Sequence, residues 1–127
     1  MLYIRETSKS VDRAFADMEA SIKDHGFGLL HSYDFRKTLG EKGYAMPNEC
    51  RVLEVCNPKQ ASDVLGVDMS LNMVLPCRIS IYEDKGKTLV GMVPPTALLA
   101  LISADPAIAA AAQAVERSMQ AIIDAVV

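Results

Sequence analysis

A two-layer α+β sandwich is the fold this sequence predicts: a mixed or mostly antiparallel sheet of about four to five strands, covered by helices. Three observations lead there. Half of the 127 residues are apolar and 23% are charged, enough for one real core and too apolar for wholesale disorder. Short runs with alternating apolar residues recur between segments of helical period. Asp84-Lys85-Gly86 is a hairpin signal, which requires at least one antiparallel pair. The length suits one domain spanning 1–127.

The elements follow in order. Residues 2–5 suit a short opening strand. Ser8 or Ser10 can cap a helix over 9–24, since a hydroxyl there accepts an orphan backbone N–H. Within it Val11, Phe15, Met18 and Ile22 make one apolar stripe. Gly26 closes that helix, and Gly28–Phe35 reads as a strand with Leu29, His31, Tyr33 and Phe35 on one side. One or two helical turns over Arg36–Lys42 end at Gly43. Cys50–Cys56 is the next strand. Asn57-Pro58 opens a helix to about residue 66, Asn as cap and Pro at the first helical position. Residues 67–76 fit no regular element: Leu71, Met73 and Leu75 alternate, but Pro76 stops the pattern. Cys77–Asp84 and Lys87–Val93 form the hairpin, and Pro94-Pro95 ends the sheet. The tail is two helices, Thr96–Ile102 and one opened by Asp105-Pro106. In the second, Ile108, Ala112, Val115, Met119, Ile122 and Val126 form a heptad-like stripe. It packs on its own sheet or, alternatively, at a dimer interface. A ferredoxin-like arrangement is the nearest common architecture.

Several function classes are excluded by composition. Thirteen Lys and Arg against sixteen Asp and Glu give a net charge of −3, so no nucleic-acid partner is expected, because phosphate binding uses clustered cations. Three cysteines are an odd count and too few for a disulfide-stapled secreted scaffold. Met1-Leu2-Tyr3-Ile4 runs at once into Arg5 and Glu6, which is no signal peptide. The greasy stretch 96–115 is broken by Ser103-Ala104-Asp105-Pro106, so no membrane span is expected and a soluble, cytoplasmic protein is the default.

Chemistry points first to Cys56, at a strand end just before a helix start. Helix N-termini carry partial positive charge and unpaired N–H donors, which favour a thiolate, and Lys59 in the first turn adds a cation. The alternative is a thiol that serves as a small hydrophobe. Cys77 begins the next clear strand. If 67–76 carry the chain back along a helix of about 13 Å, Cys56 and Cys77 meet at the same sheet edge; this return path is the favoured reading. Parallel neighbours would instead leave the sulfurs roughly 20 Å apart. Cys50 shares face parity with Cys56 but lies about 20 Å away along a straight strand, too far for a shared metal. No CxxC, HExxH or His-x-His is present, so no dedicated metal site is expected. The residual metal candidates are Cys56 and Cys77, completed by His31 or by a partner subunit. His25 reads as turn-exposed and His31 as half-buried. Glu54, Glu83 and Asp84 form no acid–base pair by spacing, Gly26-Phe27-Gly28 is a helix-to-strand turn, and Met18, Met92 and Met119 read as core.

Cys56-Asn57-Pro58-Lys59, then Leu75-Pro76-Cys77 and Ile81-Tyr82-Glu83-Asp84, resemble the domain-of-unknown-function 302 family. So do His25-Gly26-Phe27-Gly28-Leu29-Leu30, the Asp34–Gly43 segment and Val52-Leu53. The resemblance covers about residues 10–95. It departs at Asp68-Met69, where the family often shows Asp-Pro, and the helical extension 96–127 lies beyond the family's core pattern. It implies a compact two-layer α/β fold and a homodimer, and it supplies no reaction or cofactor. Cys56, Asn57, Pro58, Pro76 and Cys77 are the positions carried over.

The leading expectation is a small homodimeric domain binding a small ligand or soft metal near Cys56, Asn57, Pro58, Lys59, Pro76 and Cys77. The alternatives are a thiol redox or sulfur-carrier protein, with Cys56 attacking and Cys77 resolving, and a structural dimerisation module with inert cysteines.

Overall fold

A computed structural model describes all residues from Met1 to Val127. The elements are β1 (Tyr3–Thr7), α1 (Val11–Asp24), β2 (Gly28–Asp34), α2 (Phe35–Glu41), β3 (Cys50–Cys56), α3 (Pro58–Val67), a 3₁₀ helix (Met69–Val74), β4 (Cys77–Asp84), β5 (Lys87–Met92), α4 (Pro95–Ala100) and α5 (Pro106–Asp124). One five-stranded sheet runs in the order β1-β5-β4-β3-β2, every neighbouring pair antiparallel. This corrects the ferredoxin-like arrangement. β1 and β2 are the two edges, and α1 crosses the sheet face between them.

Local chemistry explains the boundaries. Ser10 Oγ accepts from Arg13 N at 3.1 Å, Asn57 Oδ1 from Gln60 N at 3.1 Å and Asp105 Oδ1 from Ala107 N at 2.8 Å. Each therefore caps its helix. At the other end of α1, Phe27 N reaches Ile22 O and Gly26 N reaches Lys23 O, with Gly26 at φ 77°; this is a Schellman closure, and it needs the left-handed residue. Lys85 and Gly86 both have positive φ, the backbone of a two-residue I′ hairpin. Helix α4 starts one residue before Thr96 and has no capping side chain of its own. Glu116 of α5 serves instead, accepting from Thr96 N at 3.1 Å and Thr96 Oγ1 at 2.6 Å.

The main core lies between one sheet face and helices α1 and α5. Leu53, Val55, Ile79, Ile81, Val90 and Met92 meet Met18, Ile22, Met119 and Ile122 there. The stripe predicted on the last helix is buried within its own chain, so the alternative of that stripe at a dimer interface is corrected. A second, smaller cluster of Val64, Leu71, Leu99, Ile108 and Ala112 sits off the end of the sheet. Helix α3 belongs to this end cluster, with the 3₁₀ helix, α4 and the first half of α5, rather than lying over the sheet as predicted. No helix is long and apolar enough to cross a membrane.

Two local expectations are also corrected. The pairing of β2 with β3 shifts between Leu29 and His31, a bulge that pushes Leu30 out and reverses the parity of the residues after it. Leu29 packs on the core, while His31 pairs with Glu54 on the opposite face and is exposed, not half-buried beside Leu29. The segment 67–76 contains the 3₁₀ helix, whose three-residue repeat turns Leu71 and Val74 to the same side. Leu71 is fully buried and Met73 is 72% exposed, so the apparent alternation through Met73 carried no strand.

Candidate functional site

Because β3 and β4 pair antiparallel, with Val55 opposite Cys77, the chain takes the return path and Cys56 and Cys77 arrive at the same end of the sheet. The end cluster stands off that edge. The gap is a pocket of about 270 Å³ whose wall includes Cys56, Asn57, Gln60, Leu75, Pro76 and Cys77, together with Phe27, Ala61, Asn72, Leu99 and Val115 among others. The two motifs read from the sequence thus form opposite parts of one wall. No Asp, Glu, Lys, Arg or His lines the pocket. The peptide Leu75–Pro76 is cis.

Not every predicted residue reaches it. Pro58 occupies the first helical position of α3 and is exposed. Lys59 is turned outward, its side chain 85% exposed and its Nζ 3.0 Å from Asp63 Oδ2, so its charge is matched one helical turn on. Cys50 lies at the far end of β3, opposite Tyr82. His31 sits on the other sheet face, its ring 4.6 Å from that of Tyr33. It is not brought to the thiols, and no three His, Cys, Asp or Glu side chains converge on a metal-sized site.

Both thiols are free. Burial, with the neighbouring Cys56 as a second, smaller cause, pushes the Cys77 thiol up to about 11; a low-dielectric wall disfavours the thiolate. At neutral pH Cys77 is therefore protonated. Cys50 is also raised, by burial and by Asp34. At the helix start beside Cys56, Asn57 Oδ1 already takes the Gln60 N–H, one of the donors that would face a thiolate.

Gln60 is the residue that the sequence reading missed. Asn57-x-x-Gln60 has the spacing of a capping box, in which the Gln side chain returns to the backbone N–H of the cap. Here it does not. Gln60 lines the pocket, but its Oε1 is buried without a hydrogen-bond partner, an arrangement costing about 1–3 kcal/mol. The pattern was visible, but its reciprocal half was not made.

A second hollow of about 450 Å³ lies beyond Leu75-Pro76-Cys77, lined in part by Glu54, Arg78 and Ser80. Glu54 Oε1 there accepts from Tyr33 at 2.8 Å, which raises the phenol's pKa, and burial adds to the shift. None of the side chains lining this hollow holds a buried polar atom without a partner.

Fold and site together define a helix-backed antiparallel α+β domain with a thiol-flanked apolar pocket at one sheet end. The chain belongs to the family described as "Domain of unknown function DUF302", which matches residues 3–126. The match includes the helical tail placed beyond the family's core pattern. A crystal structure of an uncharacterised conserved DUF302 protein from Bacillus stearothermophilus is similar at a TM-score of 0.94 and 32% identity, covering 99% of this chain and 98% of that one. No curated protein matches.

Proposed function

We propose that this domain binds a small, uncharged, largely apolar molecule in the pocket between the ends of β3 and β4 and helices α3 and α4. The observation that carries the reading is the pocket's lining: a hollow of about 270 Å³ with a largely apolar wall and no charged side chain, flanked by both cysteine motifs. Ligand sites are characteristically concave and apolar with a few placed polar groups. At roughly 30 Å³ per water-sized unit, this volume admits about nine non-hydrogen atoms. Cys56, Asn57, Pro76 and Cys77 are binding residues in this reading. Pro58 shapes the start of α3, and Lys59 holds no ligand contact.

The soft-metal variant finds two thiols and no third donor. The redox variant needs Cys77 as a thiolate, and its raised pKa opposes that. The homodimer implied by the family resemblance gains nothing from α5, whose apolar stripe is used inside the chain.

Titration of the ¹⁵N-labelled protein with toluene, 1-octanol and octanoate tests the proposal. Saturable shifts at residues 56–61 and 75–77 are expected for the two neutral compounds, with octanoate weaker. Ala61→Trp, which fills the pocket from α3, should remove them. The proposal is wrong if neither neutral compound binds saturably, or if Ala61→Trp leaves the shifts intact.

A further inference from the structure

The hollow of about 450 Å³ carries one charge of each sign. Glu54 and Arg78 are the only charged side chains on its wall, beside Ser80 and an apolar floor that includes Leu75, Val93, Pro95 and Leu98. The two charges stand directly opposite each other on β3 and β4, where opposite charges ordinarily pair. Here neither belongs to any ion pair of the chain. Tyr33 of β2 donates to Glu54 Oε1 at 2.8 Å, from the side of β3 that faces away from β4. Glu54 Oε2 has no partner and is not buried, and Arg78 is exposed, so both ions are open to another molecule. We infer that this hollow binds an α-amino acid with an apolar side chain, its carboxylate on Arg78, its ammonium on Glu54 and its side chain on the apolar floor. The hollow shares Leu75, Pro76, Cys77 and Pro95 with the thiol-flanked pocket but none of its own three polar residues, so the two sites stand or fall separately.

Charge and geometry narrow the class. A monocarboxylate would meet Arg78 but bring a second anion beside Glu54, and an amine would bring a second cation beside Arg78. A zwitterion answers both and leaves the net charge of the hollow unchanged. Directly opposite strand positions hold their Cβ atoms about 5 Å apart, which suits ions on neighbouring atoms of one ligand better than ions at the two ends of a peptide. The guanidinium fork matches a carboxylate, and Ser80 adds a hydroxyl on the same face of β4. At roughly 30 Å³ per water-sized unit the hollow admits about fifteen non-hydrogen atoms, room for a whole leucine or phenylalanine.

The test titrates ¹⁵N-labelled protein with L-phenylalanine, with 3-phenylpropanoate, which lacks the ammonium, and with 2-phenylethylamine, which lacks the carboxylate. Phenylalanine should shift the amides of Glu54, Arg78 and Ser80 saturably and bind at least about threefold tighter than either analogue, the worth of one partly exposed charge contact. Arg78→Gln should weaken phenylalanine about three- to tenfold and leave phenylethylamine no weaker. Glu54→Gln, which keeps an acceptor for Tyr33, should weaken phenylalanine to a similar extent and leave phenylpropanoate no weaker. An analogue that binds as tightly as phenylalanine overturns the inference, since one charge would then suffice. So does a phenylalanine affinity unchanged in either variant, or no saturable binding at millimolar concentration. Ala61→Trp, which fills the thiol-flanked pocket, should leave phenylalanine binding intact; its loss would put the ligand in that pocket and overturn the site.

Discussion

At its first residues, β3 carries Arg51 under α1. The guanidinium lies 5.0 Å over the ring of Phe15, its NH2 nitrogen is 2.7 Å from Asp12 Oδ1, and its Nε faces Asp34 Oδ2 at 3.4 Å. The Nε contact is an ion pair without the alignment of a hydrogen bond, since the Nε–H has no hydrogen-bond acceptor. Asp34 itself caps α2, so this one cation ties β3 to two helices. At the other end of the same strand the chain arrives at an apolar pocket flanked by two free thiols, with the buried carbonyl oxygen of Gln60 close by. One end pairs its cation with two carboxylates and a ring, leaving only the Nε–H without an aligned acceptor. The other leaves the Gln60 carbonyl oxygen with no hydrogen-bond partner. The contrast separates a structural end of the sheet from a candidate functional one, and it can be attacked by experiment.

Between the two ends, Leu53 is fully buried and sets the scale. Leu53→Ala should cost about 2–5 kcal/mol in urea unfolding, as transfer and cavity terms add. A loss under about 1 kcal/mol would mean that the strand is not the common support of both regions.

Cys77 comes next. Its pKa of about 11 against an ordinary 9.0 should slow alkylation at pH 8 about a hundredfold relative to the same thiol in urea-unfolded chain, read by peptide mass spectrometry. Because the folded chain holds this proton more tightly than the unfolded one, stability should fall as pH rises from 9 towards 11. Cys77→Ala should flatten that part of the curve. Reaction within tenfold of the unfolded rate would show that the pocket wall is wetter than its lining implies.

Arg51→Ala should cost about 1–2 kcal/mol, the loss of stacking on Phe15 and of partly exposed pairs. Gln60→Met should carry the opposite sign, stabilising the ligand-free protein by about 1 kcal/mol, because an unmet carbonyl is replaced by an apolar group. Two losses of similar size would erase the distinction between the ends.

Much of this architecture could be read locally. Ser10, Asn57 and Asp105 cap their helices, the Asp84-Lys85-Gly86 turn builds its hairpin, and α5 buries its stripe, because each depends on contacts within a few residues or on a single periodicity. The β2 bulge was hidden because one extra residue reverses side-chain parity without altering composition. The 3₁₀ helix was hidden because the exposed Met73, standing between Leu71 and Leu75, gives so short a run the look of a two-residue alternation.

The candidate site divides the same way. Sequence alone determined that Cys56 precedes a well-capped helix and that Cys77 opens a strand, since caps and strand starts are set by neighbouring residues. Only the tertiary structure decided that the two thiols share an edge, that Lys59 faces away and that Gln60 Oε1 is left without a partner. Burial and unmet hydrogen bonds are properties of the space between elements, and that space exists only once β4, α4 and α5 have closed around α3.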